Sequence, residues 1–180
     1  RVSTAASESG ELWYFAYGAN TSLAVLTGRR RIVPRSSEPA TLAGYRLAFA
    51  MPGVPFVEPA FATVVREPGA TAEGVLHRFT PEDMRRLDRF ESSAYARLEL
   101  DAVGTRSGPV RAHVYVARRP REGRVPSRRY VDLLLAGARE HGLSAAHIVW
   151  LEAHPCVDSP IGRLLVDMFG NGVRSFFGRR

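Results

Sequence analysis

The chain has 180 residues, 45% of them hydrophobic, which excludes a generally disordered protein and is enough for one compact domain. Its net charge is +7 and all 25 basic residues are arginine, so chemistry that requires a lysine Schiff base is excluded. The single cysteine, Cys156, rules out an intramolecular disulfide and a cysteine-rich metal site.

The first predicted element covers residues 14–20, which read Tyr-Phe-Ala-Tyr-Gly-Ala-Asn. This pattern predicts an apolar strand that ends in a turn, because Gly18 permits backbone angles that other residues avoid. Thr21 or Ser22 is then expected to cap a short helix that Gly28 ends. Such a turn leaves N–H groups unpaired, which suits a carboxylate or a developing oxyanion. The alternative is an ordinary strand, turn and helix without a ligand.

Alternation of apolar and polar side chains predicts most of the middle of the chain to be strands. The predicted strands are residues 45–50, 61–66, 74–79, 95–103 and 110–116. The first of them and the last are each expected to have one face in water. Pro68 and Gly69 predict a turn between two of these strands, and the loop from Pro52 to Pro59 is expected to rim a pocket.

A helix start is predicted at Thr80, with Pro81 at the first helical position and acidic residues in the first turn. The apolar residues of this helix recur at three-residue spacing; they are Met84, Leu87 and Phe90. Glu91 follows at the carboxyl end. A carboxylate placed beside apolar groups is the kind of group that shuttles a proton near neutral pH, whereas the alternative is a solvated surface glutamate.

Two helices are predicted after the last strand. Ser127 caps the longer one, which Gly142 ends, and Ser144 begins another that runs to Ala153. The longer helix is expected to have one buried face, made of Tyr130, Leu133, Leu134 and Gly137. Strands followed by a helix, more strands and more helices are typical of an α+β fold.

Three segments together resemble the γ-glutamylcyclotransferase family. That family carries a strand ending in Tyr-Gly-Ser-Asn, then a helix ending in Leu-Asp-x-x-Glu and followed by a tyrosine; here these are residues 14–20, 87–91 and 95–97. The third match is residues 126–130, which lead into a helix ending in Glu-His-Gly-Leu at 140–143. The motifs follow the family's order over residues 12–155. The resemblance implies a small mixed β-barrel with flanking helices and a cavity near the glycine turn.

The resemblance also implies a reaction, in which the α-amine of a small γ-glutamyl substrate attacks its own γ-carbonyl and releases 5-oxoproline. Glu91 is the expected catalytic residue, and neither a metal nor a cofactor is needed. The expected substrate-binding residues are Tyr17, Gly18, Ala19, Asn20, Tyr95, Arg97 and Tyr130. The alternative for Tyr95 and Tyr130 is that each is a core aromatic residue.

Two departures from the family pattern concern the substrate. Ala19 replaces the usual serine of the binding loop, and Ser92 replaces the glycine that often follows the glutamate. The short spacing from Glu91 to Tyr95 resembles the γ-glutamylamine branch of the family. A non-catalytic binding protein on the same fold is therefore an alternative to the enzyme.

The arginine clusters are the other feature that bears on partners. They lie at residues 29–31, 118–119 and 121, and they are short and not interleaved with aromatic residues. We expect a solvated surface and no nucleic-acid partner, although an anion- or nucleic-acid-binding module is a further alternative.

The predicted organisation has three parts: residues 1–11 as a flexible lead-in, 12–155 as the catalytic domain and 156–180 as a helical tail. The tail has an apolar stripe, which predicts packing on the domain or a homodimer contact. A basic amphipathic membrane contact or partial cover of the active-site mouth are alternatives. No apolar run approaches the roughly 20 residues that span a bilayer, and no signal-peptide core is seen, so a cytoplasmic protein is expected.

Overall fold

Five strands close into a barrel in a computed structural model that describes residues 10–158. Nearly all of the predicted lead-in and tail, including the apolar stripe and the homodimer contact expected there, lies outside the described residues. The elements in chain order are β1 (Leu12–Ala16), a 3-10 turn (Ala19–Thr21), a π-helix (Val25–Arg30), β2 (Ser36–Val54), β3 (Glu58–Phe79), α1 (Pro81–Asp88), β4 (Tyr95–Gly104), β5 (Gly108–Ala117), α2 (Arg128–Glu140) and α3 (Ala145–Ala153).

The strand order around the barrel is β1-β3-β2-β4-β5, and β1 also pairs with β5. The β1–β5 pair is parallel, with Trp13 opposite Ala112 and Tyr14 opposite His113, while the other pairs are antiparallel. The barrel is therefore mixed. The predicted fold class, an α+β mixed barrel with flanking helices, is confirmed.

The long pair β2 and β3 corrects two predictions. Pro68 and Gly69 do not separate two strands, because β3 continues through them and pairs with β2 on both sides; the register passes from Ala43↔Thr71 to Tyr45↔Arg66. The intervening residues bulge out, with Gly69 at φ +87°. Residues 52–59 form the end of the β2–β3 hairpin and are not among the residues that line the site described below.

The strand segment predicted at residues 45–50 is more buried than expected. Residues 47–50 are all buried, including Ala48 and Ala50 on the side that a half-buried strand would expose to water, and helix α3 packs on the other side. The Phe49 ring lies 6.0 Å from the ring of Trp150 and 4.5 Å from that of His154, measured between ring centroids. The helices thus complete the core on the outside of the barrel.

Helix α1 starts as predicted and ends earlier. The Thr80 hydroxyl accepts from Asp83 N at 3.1 Å and Asp83 Oδ2 accepts from Thr80 N at 3.1 Å, which is a capping box. The helix stops at Asp88, so Phe90 lies beyond its end and is 37% exposed. Glu91 stands in the turn that follows, where its N–H donates to Leu87 O at 3.1 Å.

Helix α2 is anchored at its start by a buried carboxylate that the sequence analysis did not find. Ser127 Oγ accepts from Tyr130 N at 3.1 Å, as the predicted cap requires, and Ser127 N donates to Glu58 Oε1 at 2.9 Å. Burial raises the pKa of the Glu58 carboxyl, while Ser127 and the ion pair with Arg129 at 3.2 Å oppose the rise. This contact fixes Tyr130 relative to β3. Leu133, predicted on the buried face, is only partly buried.

The segment after the glycine turn differs from the predicted capped helix. The Thr21 hydroxyl donates back to Gly18 O at 2.9 Å, and no side chain caps the helical segment. That segment is a π-helix that contains Gly28 and ends at Arg31, whose φ is +56°. The helix therefore continues beyond Gly28, and its wider π-helical turn places Arg30 in the protein interior.

Gly137 is where α2 approaches the 3-10 turn most closely, and we expect Gly137→Ala to destabilise the fold. A Cβ there would lie 2.1 Å from Thr21 Oγ1 and 2.8 Å from Ser22 N. Overpacking of this kind lowers the free energy of unfolding by about 1–3 kcal/mol, which urea titration would measure.

Gly28→Ala is the matched control, because the Cβ it would add has no described atom within 4 Å apart from its chain neighbours and the backbone of its own helix. It is expected to raise stability by about 0.4–1 kcal/mol, since alanine reduces the entropy of the unfolded chain. Equal effects of the two substitutions would contradict the close approach at Gly137.

Within residues 10–158, none of the helices combines the length and apolar character needed to cross a membrane. Over the same range, no three His, Cys, Asp or Glu side chains converge as metal ligands. His77 and His113 lie in strands, as the alternation pattern predicted.

Candidate active site

A cavity of about 40 Å³ lies where the glycine turn meets the end of α1. Its lining residues are Tyr14, Tyr17, Gly18, Ala19, Asn20, Arg30, Ala62, Glu91, Tyr95, Tyr115 and Tyr130. They come from both halves of the chain. All the residues predicted for the site are among them except Arg97.

The glycine turn forms one wall, but not for the reason that was predicted. Gly18 has φ −111°, outside the left-handed region; instead, a Cβ there would lie 3.2 Å from Tyr130 Oη and 3.6 Å from Ala62 Cβ. A Cβ at residue 18 would therefore require the Tyr130 hydroxyl to shift by a few tenths of an ångström. The turn's first internal hydrogen bond runs from Thr21 N to Gly18 O at 3.0 Å, so the N–H groups of Ala19 and Asn20 precede it, at the position where a helical turn leaves donors without an internal partner.

Glu91 is connected to this turn through Asn20. Asn20 Nδ2 donates to Glu91 Oε1 at 3.2 Å and to Tyr14 Oη at 3.1 Å. At the other end of the same carboxamide, Oδ1 accepts from Arg30 Nε at 3.2 Å. No described residue donates to Glu91 Oε2. The carboxylate is thus held through one of its two oxygens.

Tyr95, at the start of β4, and Tyr130, in α2, both line the cavity. Both hydroxyls form a hydrogen bond with the backbone of Ala62. Tyr95 Oη donates to Ala62 O at 2.8 Å, and Ala62 N donates to Tyr130 Oη at 3.2 Å. Ala62 lies where the β2–β3 register shifts, so its backbone groups bond to side chains. The two hydroxyls therefore fix the cavity wall against the barrel. Tyr95 N donates to Ser92 O at 3.0 Å, and this turn brings Tyr95 beside Glu91.

Arg97 does not reach the cavity, which corrects its predicted role as a substrate contact. Its guanidinium pairs with Asp88 Oδ2 at 2.7 Å, and Asp88 Oδ1 accepts from Tyr115 Oη at 2.6 Å. The carboxylate that Arg97 balances is therefore that of Asp88. Through Asp88, Arg97 supports Tyr115, which does line the cavity.

The buried tyrosines of the site stay protonated. Burial raises the pKa of Tyr14 and Tyr17, and the Glu91 carboxylate adds to the rise in both. Burial and the hydrogen bond to Asp88 likewise raise the pKa of Tyr115. The Tyr17 hydroxyl donates to the backbone oxygen of Tyr115. These phenols donate or accept hydrogen bonds but do not act as bases near neutral pH, and Glu91 is the one carboxylate among the described lining residues.

Sequence reasoning missed four lining residues: Tyr14, Arg30, Ala62 and Tyr115. Tyr14 belongs to the motif, so its position beside the turn was available as a signal. Arg30 was placed with the solvated arginines, and Tyr115 on the wet face of its strand. The π-helix buries Arg30, and the packing of α1 buries Tyr115. We can identify no sequence signal for either.

A larger groove of about 490 Å³ lies elsewhere, between residues 31–35 and the start of α1. Its carboxylates are engaged: Asp83 in the capping box, and Glu82 with Arg86 at 3.3 Å. It is an open surface groove and Glu91 does not line it. The smaller cavity is therefore the better candidate for chemistry.

Comparison with known proteins decides the family. A model of the family described as Gamma-glutamyl cyclotransferase, AIG2-like matches residues 14–132, which is more than half of the chain. The chain belongs to this family. The match contains the glycine turn, Glu91 and Tyr130, so the predicted membership is confirmed, and with it the assignment as an enzyme of the gamma-glutamyl cyclotransferase type.

Two fungal relatives carry the same description. The chain is 28% identical over 193 aligned positions to Gamma-glutamyl cyclotransferase gliK of Aspergillus fumigatus, covering 89% of this chain and 70% of that protein. It is 29% identical over 174 positions to Gamma-glutamyl cyclotransferase aclK of Aspergillus oryzae, covering 83% and 63%. The match therefore leaves about a third of each fungal protein uncovered.

Solved structures agree on the fold. A human protein described as uncharacterized has a TM-score of 0.72 at 22% identity, covering 88% of this chain and 99% of its own. A structure described as Gamma-glutamyl cyclotransferase has a TM-score of 0.70 at 21% identity, with the same coverage. Similarity at these identities shows a shared fold.

Proposed function

We propose that this protein converts a γ-glutamyl compound into 5-oxoproline and a free amine or amino acid, with Glu91 as the proton shuttle. The observation that carries the proposal is the hydrogen bond from Asn20 to Glu91, 3.2 Å long, which joins two family motifs 71 residues apart within one cavity. The catalytic domain is proposed to be residues 12–155.

In the first step, Glu91 Oε2 takes a proton from the substrate's α-ammonium group. The freed nitrogen lone pair attacks the γ-carbonyl carbon of the same molecule, forming a carbon–nitrogen bond and closing a five-membered ring. The carbonyl oxygen gains the negative charge. Because both reacting groups belong to one molecule, holding it folded supplies much of the acceleration; effective molarities reach about 10⁵–10⁸ M in well-oriented cases.

In the second step the ring intermediate collapses. The oxyanion re-forms the carbonyl, the bond between the γ-carbon and the leaving nitrogen breaks, and Glu91 returns its proton to that nitrogen. The ring nitrogen then loses its second proton to Glu91, which passes it to the released amine, so 5-oxoproline and an ammonium ion leave and atoms and charges balance without water. The N–H groups of Ala19 and Asn20 are the proposed donors to the oxyanion. A well-placed donor of this kind is worth about 3–4 kcal/mol in the transition state. The lost hydroxyl at Ala19 leaves these backbone donors in place.

The size of the cavity bears on the substrate. The cavity is small and partly open, so we propose that the reacting end of the substrate enters it and the leaving group extends beyond it. We propose γ-glutamyl amino acids, γ-glutamylamines and larger γ-glutamyl-protected intermediates as the substrate class. The phenol rings of Tyr95 and Tyr130 are the proposed side-chain contacts.

The test is incubation with a panel of γ-glutamyl amino acids, γ-glutamylamines and glutathione, with measurement of all products. We expect 5-oxoproline and free amine in equal amounts, and no glutamate. A matched substrate whose α-amine is acetylated is expected to be inert, because its nitrogen cannot attack.

Glutamate in place of 5-oxoproline would show hydrolysis, and turnover of the acetylated substrate would show that the α-amine is not the nucleophile. Either outcome contradicts the proposed reaction. Saturable binding of panel members without any turnover would instead support the alternative, a binding protein on the same fold.

A further inference from the structure

Arg30 is a buried cation beside Glu91 that the mechanism above does not use. It is 8% exposed, and besides its contact with Asn20 its guanidinium carbon lies 4.8 Å from the centre of the Phe90 ring. Burying a charge is costly unless its contacts compensate. Phe90 directly precedes Glu91, so Arg30 contacts both segments that the site joins: the glycine turn through Asn20 and the end of α1 through Phe90.

The Asn20 carboxamide lies between groups of opposite charge. Its oxygen accepts from Arg30 Nε and its nitrogen donates to Glu91 Oε1, each at 3.2 Å. Rotation by 180° would place the oxygen against the carboxylate and the NH2 group against the guanidinium, and both contacts would become repulsive. Arg30 and Glu91 together therefore permit one orientation of the amide.

The backbone of Asn20 is fixed independently of this side-chain contact. Asn20 O accepts from His77 Nε2 at 3.1 Å, and His77 Nδ1 lies 2.8 Å from Ser37 Oγ. With the backbone held, the main freedom left to Asn20 is rotation of its side chain. Arg30 restricts that rotation.

We propose that Arg30 is a positioning residue, whose hydrogen bond to Asn20 Oδ1 turns the Asn20 NH2 group toward Glu91 and fixes the Glu91 carboxylate in the cavity. A cation that donates to an amide oxygen polarises the amide and strengthens the hydrogen bond that its NH2 group makes. This role rests on the proposed function, because it acts through Glu91. It differs from direct binding of an anionic substrate group by the guanidinium.

The kinetic test compares Arg30→Met, Asn20→Ala and the double variant. Each single variant is expected to lower kcat by about 10²-fold, the cost of a misplaced catalytic group, with KM changed less than about twofold. The double variant is expected to be no slower than the slower single variant, because both remove one linked contact. Arg35→Met, an exposed arginine outside the cavity, is the control and should match the wild type.

Two results would overturn the proposal. A raised KM with unchanged kcat in Arg30→Met would show that Arg30 binds substrate directly. Multiplied losses in the double variant would show that Arg30 acts independently of Asn20. Arg30→Lys keeps the charge without the Nε donor, so it serves if the methionine variant does not fold; its kcat is expected between those of Arg30→Met and the wild type, and a wild-type value would also overturn the proposal.

A second readout does not need activity. The side-chain amide resonance of Asn20 in ¹⁵N-labelled protein, identified by its loss in Asn20→Ala, should shift in folded Arg30→Met. An unshifted resonance overturns the positioning role. A shifted resonance in a protein whose wild type turns over no γ-glutamyl compound supports the positioning role while removing the proposed function, so the two failures are distinguishable.

Discussion

Glu91→Gln is expected to lower kcat for 5-oxoproline release by about 10²- to 10⁴-fold, the range that general acid–base catalysis supplies. Glutamine keeps an Oε1 that can accept from Asn20 Nδ2, so the hydrogen bond that holds the side chain survives. What is lost is the carboxylate proposed to take the proton from the α-ammonium and return it to the leaving nitrogen. Steady-state kinetics on the best substrate of the panel, beside an unfolding curve, measures the effect.

The matched control is Glu82→Gln, which makes the same change at a surface position whose side chain is 70% exposed and pairs with Arg86. It should leave kcat within about twofold of the wild type, as surface changes away from a site usually do. A Glu91→Gln protein that is folded and fully active would show that another group carries the proton.

His77 is expected to make the fold sensitive to acid. Its side chain is fully buried between Asn20 and Ser37, and burial, together with the nearby His141 ring, lowers its pKa to about 3. An unfolded histidine has a pKa near about 6.5, so between these two values the unfolded state binds the proton and the folded state does not. The contribution of His77 to the free energy of unfolding is therefore complete above the pKa it has in the unfolded state. It is lost as the pH falls toward the pKa it has in the folded state.

The measurement is urea unfolding at about pH 7 and about pH 4.5, a step over which His77 should remove about 3 kcal/mol of stability. In His77→Gln this contribution should vanish, because the amide can donate to Asn20 O and does not titrate. The other titrating groups are common to both proteins, so the difference between them isolates His77. An equal loss of stability in both proteins would mean that His77 is not the source.

Much of the site could be predicted because its residues lie in short local motifs that resemble those of a known family. Gly18, Asn20 and Glu91 stand in segments whose residue order alone suggests a turn and a helix end. Arg30 could not be predicted, because its burial depends on a π-helix, and the sequence pattern there predicts an α-helix ending at Gly28. Arg97 was misplaced for a related reason: its position two residues after Tyr95 does not show that the Asp88 carboxylate lies within its reach.

In the fold, too, features set by residues close in sequence could be predicted, whereas those set by residues far apart in sequence could not. The caps at Thr80, Ser127 and Ser144 involve residues three apart, and each forms as predicted. Closure of the barrel depends on the parallel pairing of β1 with β5, about which alternation in either strand carries no information. The resemblance to a known family supplied it.

That parallel pairing also governs when the site can exist during synthesis of the chain. Tyr17 donates to a backbone oxygen 98 residues further along, and Tyr14 lies opposite His113. A nascent chain that has not yet delivered β5 therefore has β1 with an unpaired edge and lacks the Tyr115 wall of the cavity. Such long-range contacts slow folding, because a large loop must close before they form. The catalytic pocket therefore forms late, because β1 can pair with β5 only after most of the domain has left the ribosome.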